Sequence, residues 1–123
     1  MTIIEAINKI DSLKPNNYTQ PEKIRWLSNL DGIIKKEIID THEGSENVAF
    51  KGYDADTALD TVLLVTPPYD DIYVKWLEAQ IDYANADTKR YANSMLMYNT
   101  AYSAFERFYN RTNMPNGKTF KYF

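Results

Sequence analysis

Apolar positions recur with helical spacing over most of the chain. In residues 2–13, Ile3, Ile7 and Ile10 share one face, and Thr2 is followed three residues later by Glu5 in a capping-box pattern, which predicts a short amphipathic helix. Lys14-Pro15-Asn16-Asn17 ends it, because the residue before a proline is pushed out of helical geometry. A second helix opens at Thr19, with Pro21 in the first turn and Glu22 completing another capping box. Ile24, Trp26, Leu27, Leu30, Ile33, Ile34, Ile38 and Ile39 form its apolar stripe, Lys35 and Lys36 face water, and the pattern runs to about Asp40. Gly32 interrupts this helix at a cost of about 1 kcal/mol relative to alanine.

The pattern changes at residue 41. From there to residue 70 the chain carries turn residues and acids, among them Gly44, Ser45, Gly52, Asp54, Asp56 and Asp60, around one apolar block at 62–65 that ends at Pro67-Pro68. These features predict a long irregular loop with one short extended segment. Loops of this length in compact domains are usually functional or ordered by a partner.

Residues 69–111 return to helical phase. Val74, Leu77, Ile81, Ala84, Thr88, Tyr91, Met95, Tyr98, Tyr102, Phe105 and Tyr109 follow steps of three and four, a heptad-like seam. Asp70 and Asp71 complement the positive end of the helix dipole, and Arg107 and Arg111 the negative end. Asn85-Ala86-Asp87 offers a break, but the continuous phase predicts one long helix or two nearly collinear ones. About forty residues at 1.5 Å each would span roughly 60 Å, and such a helix needs neighbours, most simply other copies of the chain. The tail, 112–123, contains Pro115, an Asn116-Gly117 hairpin-turn signal and the aromatic-basic ending Phe120-Lys121-Tyr122-Phe123. The expectation is an all-α helical bundle in a single domain, 1–123: two N-terminal helices, a long loop at 41–70, a C-terminal helix or helix pair, and a C-terminal arm at 112–123.

Composition narrows the functional classes. The 123 residues include 17 acids against 14 Lys and Arg, a net charge of −3, which opposes the basic footprint of a phosphate-gripping protein. With no cysteine there is neither a disulfide framework nor a thiolate metal site, and nothing requires an oxidising compartment. The N-terminal residues lack the basic and apolar runs of a signal peptide, and no apolar stretch approaches membrane length, so folding in the cytoplasm is expected. Tyrosine is over-represented, at 10 residues beside 5 Phe and 2 Trp, which favours a protein interface. The candidate partner-binding residues are Pro67, Pro68, Tyr69, Tyr102, Tyr109, Phe120, Tyr122 and Phe123.

Candidate chemistry is sparse. His42 is the only histidine, with Glu43 and Glu46 as its nearest acids, and a position near a helix C-terminus accounts for it through the dipole. Asp54, Asp56 and Asp60 alternate in a way that suits hard cations, yet the glycine and glutamate positions of an EF-hand loop are missing. No serine lies in a Gly-x-Ser-x-Gly context, and no glycine-rich loop precedes a helix. The Tyr91, Tyr98, Tyr102, Phe105, Tyr109 stripe could stack on bases, but its spacing reads first as a packing seam and the opposite face shows no basic stripe. The expectation is a non-enzymatic protein with no catalytic, cofactor or metal site.

Leu63-Leu64-Val65-x-x-Pro68-Tyr69-Asp70, then Tyr73, Trp76-Leu77-Glu78-Ala79-Gln80-Ile81-Asp82-Tyr83 and Tyr109-Asn110-Arg111-Thr112, resemble a family of prophage-encoded structural proteins. Lys23-Ile24-Arg25-Trp26-Leu27 and Ile38-Ile39-Asp40-Thr41-His42 extend the likeness over nearly the whole chain. These proteins are similar in size and helical character to the head-tail connectors (adaptor or head-completion proteins) of siphophage-type prophages. The resemblance implies a virion neck protein that assembles in the host cytoplasm as a ring of about twelve copies. Its partners would be itself, the portal above, and a stopper or tail-completion protein below, with DNA passing through the channel without specific binding. The loop and tail would be arms ordered on a neighbour. The competing expectation is a small prophage-encoded regulatory or interaction protein, dimeric through the same seam.

Overall fold

The computed structural model describes residues 1–115. It is an all-α bundle of four helices: α1 (Ile3–Leu13), α2 (Gln20–Glu37), α3 (Ile72–Ala84) and α4 (Thr88–Thr112), with 3-10 turns at Ile39–Thr41, Ser45–Asn47 and Tyr69–Asp71. No helix among the described residues is long and apolar enough to cross a membrane.

The starts of α1 and α2 follow from their caps. The Thr2 side chain accepts the Glu5 N–H while the Glu5 carboxylate accepts the Thr2 N–H at 3.0 Å, a complete capping box. At α2 the Thr19 hydroxyl accepts the Glu22 N–H but donates to the Glu22 carboxylate, so the second box closes through side chains instead of the cap N–H. The two helices hold Ile3, Ala6, Ile7, Ile10, Ile24, Leu27, Leu30 and Ile34 in one contiguous core, joined by Ile72, Tyr73, Leu77 and Ile81 of α3. The second helix ends earlier than its periodicity predicts, at Glu37, and the chain tightens into a 3-10 turn that still buries Ile38 and Ile39.

The C-terminal seam is neither one helix nor two collinear ones. The chain reverses between α3 and α4: Tyr83 meets Tyr91, Asp82 meets Ser94, Trp76 meets Tyr98 and Tyr69 meets Phe108, a descending series against an ascending one that defines an antiparallel hairpin. Asn85 closes α3, Ala86 takes the left-handed conformation at φ 57°, and the Asp87 side chain caps α4 by accepting the Arg90 N–H at 3.1 Å. Three residues turn the chain, and the α3 side chains that meet α4, Trp76, Asp82 and Tyr83, lie beside the predicted seam, whose Leu77 and Ile81 are buried in the common core. The roughly 60 Å rod therefore becomes arms of about 20 and 37 Å at 1.5 Å per residue. Helix α4 lies outermost: Ser94, Tyr98 and Phe105 are its buried residues.

The 41–70 segment is irregular, as its composition predicts, but it is no free arm. Leu63 and Val65 are buried in the core, and Thr61 and Leu59 carbonyls accept the N–H groups of Ile3 and Ile4 at 3.1 and 3.0 Å. The loop thereby satisfies two of the donors that the first turn of α1 leaves open. Its ordering on its own subunit corrects the expectation of an arm that needs a neighbour.

Candidate interaction surface

Two sets of polar side chains hold the bundle, and they define what the molecule has left to present. The first centres on Asp31, fully buried on α2. Its carboxylate accepts from Tyr73 Oη at 2.6 Å, Tyr53 Oη at 2.5 Å and the Leu64 N–H at 3.1 Å, while Tyr73 Oη accepts the Val65 N–H at 2.7 Å. Gly52, at φ 87°, lets the chain pass so close to α2 that a Cβ would lie 3.3 Å from Ser28 Oγ, and that hydroxyl accepts the Tyr53 N–H at 2.9 Å. Burial raises the Asp31 carboxyl above its usual range, against the hydrogen bonds from Tyr53, Tyr73 and Leu64. Burial and the adjacent carboxylate push both phenols up. This is an acid committed to fixing a loop.

The second set centres on Asp82, buried on α3, which accepts from Lys14 at the end of α1 and from Ser94 of α4. Lys23, also buried, donates to Asp11 at 2.7 Å and joins α2 to α1. Among the described residues every buried side-chain nitrogen and oxygen has a hydrogen-bond partner, and no cluster of three or more His, Asp and Glu is arranged to hold a metal ion.

His42 is buried beside the end of α4. Its Nδ1–H donates to the Ile38 carbonyl at 2.6 Å, its Nε2 lies 2.7 Å from the Asn110 side-chain amide, and its ring packs edge-on against Tyr109 at 4.8 Å. Both nitrogens are engaged in joining the two chain segments. A dipole contact alone does not describe this residue.

The aromatic residues expected to bind partners fall in three places. Tyr69 stacks on Phe108 at 4.7 Å and sits 6.3 Å from Phe105, with the exposed Pro67 and Pro68 immediately before it. Tyr109 packs 5.7 Å from Phe105 on the neighbouring side. These residues form one partly exposed aromatic end of the hairpin, reaching from the Pro67-Pro68 step to the last turns of α4. Tyr102 lies apart, a turn above this end, where its hydroxyl donates to Glu37 at 2.8 Å; burial first, then Glu37, raises its phenol, and Tyr98 beside it is pushed up to about 12 for the same reasons. Phe120, Tyr122 and Phe123 lie outside the described residues, as does the turn expected at Asn116-Gly117.

No family model, curated protein or solved structure matches this chain. The surface must therefore be read from its own residues.

The residues that the sequence reading missed are Asp31 and Tyr53. Asp31 carried a signal: it keeps three- and four-residue phase with Ile24, Leu27, Ile34 and Ile38, so an acid stands on the apolar stripe. A charge there requires buried donors. Tyr53 carried none, because its pairing with Asp31 depends on the path of an irregular loop.

Proposed function

We propose that this chain is a non-enzymatic assembly protein that works through the aromatic end of its α3–α4 hairpin. The observation that carries this reading is the juxtaposition of exposed Pro67 and Pro68 with the half-buried Tyr69 and Phe108. Prolines hold little conformational freedom, and stacked aromatic rings present rigid apolar area, so such an end loses little entropy when a partner covers it. The buried carboxylates, by contrast, are engaged in joining segments of the fold.

Among assemblies, the head-tail connector is the one to which the chain's motifs are similar, and the all-α bundle is compatible with it. In this reading copies of the chain form a ring under a portal protein, with a stopper or tail-completion protein below, in the virion neck. The α3–α4 hairpin closes within the subunit, so the seam supplies neither ring contacts for the connector nor the dimer contact of the alternative, a small regulatory or interaction protein.

Mass photometry of the chain alone and mixed with the portal protein encoded nearest its gene separates the two. The connector reading expects a ring-sized species in at least one sample, lost when Pro68→Asp places a charge on the aromatic end. A small oligomer indifferent to portal and insensitive to Pro68→Asp overturns it.

A further inference from the structure

Charge is divided unevenly between the outermost helix and the loop. Helix α4 carries four cations, Lys89, Arg90, Arg107 and Arg111, against one acid, the half-buried Glu106, although the chain as a whole has a net charge of −3. Lys89, Leu96 and Ser103 recur every seven residues on the side of α4 opposite its buried Ser94, Tyr98 and Phe105, with Arg107 and Arg111 continuing the same face. All five are exposed, Leu96 by 63%. The face therefore has cationic ends, a neutral middle and one apolar anchor. Arg90 lies 3.4 Å from Asp87, but Lys89, Arg107 and Arg111 form no ion pair among the described residues.

Residues 54–62 are the complement of this face. Asp54, Asp56 and Asp60 are exposed with no cation between them, and Val62 beside them is 67% exposed. Asp56 and Asp60 likewise form no ion pair among the described residues. The stretch is fixed at both ends: Tyr53 is bonded to Asp31 just before it, and at its far end the Leu59 and Thr61 carbonyls accept from α1 while Val62 bridges to Thr2. An acidic surface already ordered in this way loses little entropy when it is covered. Helix α4 packs on α3, whereas 54–62 is fastened to α1 and α2, so a single copy does not bring the two surfaces together.

We propose that the outward face of α4 docks on the 54–62 segment of a second copy, head to tail. Charge complementarity selects this occupant, with Leu96 and Val62 as the apolar anchors of the two surfaces. Two α4 faces do not pair with each other, because cationic end meets cationic end whether the helices run parallel or antiparallel. A head-to-tail contact leaves one surface of each kind unused on every pair, so copies continue to add and close into a ring if the rotation allows. The inference rests on the assembly reading, for which it names the contact between copies, and it leaves the aromatic end to a different partner. Exposed ion pairs are individually weak, so the contact is weak in the free chain and strengthens where a partner on the aromatic ends gathers copies together.

Sedimentation equilibrium of the full chain at low ionic strength should show association that deepens with concentration and weakens several-fold in about 0.5 M salt. Lys89→Glu with Leu96→Glu removes the helix surface, and Asp56→Asn with Asp60→Asn removes the loop surface. Each double variant should associate about ten-fold more weakly than the parent. Mixed, the two should form one-to-one dimers that grow no further, because a mixed pair retains one native contact. A parent that stays monomeric at millimolar concentration, a double variant that associates like the parent, or a mixture no more associated than its components overturns the head-to-tail contact. Leu96 stands about 18 Å from Phe108 along α4, so the helix variant leaves the aromatic end intact. Mass photometry with portal then keeps the two readings apart: a ring indifferent to both double variants overturns the contact alone, whereas the absence of any ring with the parent overturns the assembly reading.

Discussion

The α3–α4 hairpin and the 42–68 loop are held by opposite means. The hairpin is closed by a seam of ring contacts from Tyr83–Tyr91 through Trp76–Tyr98 to Tyr69–Phe108, over a core that buries Leu77, Ile81, Tyr98 and Phe105. The loop buries Leu63 and Val65 but is otherwise fastened at points: Tyr53 and Leu64 on Asp31, the Val65 N–H on Tyr73 of α3, and Leu59 and Thr61 on the start of α1. A seam distributes its stability over many small contacts. A point attachment concentrates it in one group whose loss leaves several donors unpaired.

The comparison breaks most sharply at Asp31. Asp31→Ala leaves two phenol hydroxyls and the Leu64 N–H without their acceptor, and is expected to cost on the order of 4 kcal/mol. Urea unfolding measures the loss, and limited proteolysis should show new cleavage within 49–61 under conditions where the helices survive. Leu77→Ala, at a fully buried position beneath the seam, should cost about 3 kcal/mol through lost transfer energy and a residual cavity. Its cleavage pattern should match the parent's until global unfolding. Equal loop cleavage in both variants would mean that the loop and the hairpin do not open separately.

Periodicity and the capping residues made the helical character and most of the core legible in the sequence, while the C-terminal segment could be read as one helix or two. Direction was not legible: a three- and four-residue phase continues through Asn85-Ala86-Asp87 whether the chain goes straight or folds back, and the α3 side chains that meet α4, Trp76, Asp82 and Tyr83, lie outside that phase. The signal for reversal was local, an Asp at an N-cap position after Asn-Ala, and it outweighed the phase. The loop's anchoring was legible in part. Asp31 on an apolar stripe announces buried donors, yet which donors they are depends on tertiary contacts that an irregular segment does not encode by spacing. At the candidate surface, Pro67, Pro68 and Tyr69 were legible as partner-binding candidates where the loop ends, whereas the meeting of Tyr69 with Phe108 required the fold-back.

Asp31→Asn sharpens the polar side of the comparison. Burial raises the folded-state Asp31 carboxyl above its unfolded value, so the folded chain holds that proton more tightly. The acid's contribution to stability is then fully present below the unfolded value and lost as pH rises through the folded one. Asparagine has no such slope, and the other carboxylates cancel between the two proteins. The stability of the parent relative to Asp31→Asn should therefore fall with rising pH across this window, as urea titrations at several pH values would reveal. A difference that stays flat or rises would show that the hydrogen bonds from Tyr53, Tyr73 and Leu64 outweigh burial.

The smallest effect tests the turn that distinguishes a hairpin from a rod, and its sign is opposite. Ala86 holds φ at 57°, a conformation that costs a residue with a Cβ about 1–2 kcal/mol. Ala86→Gly removes that strain, while the freer unfolded chain takes back part of the gain, about 0.5–1 kcal/mol. The net expectation is a stabilisation of about 0.5 kcal/mol, read as a higher urea midpoint at unchanged slope. A rod would behave otherwise: with Ala86 inside a continuous helix, glycine would lower the midpoint by up to about 1 kcal/mol. The direction of this one shift thus separates the two geometries that helical phase leaves equivalent.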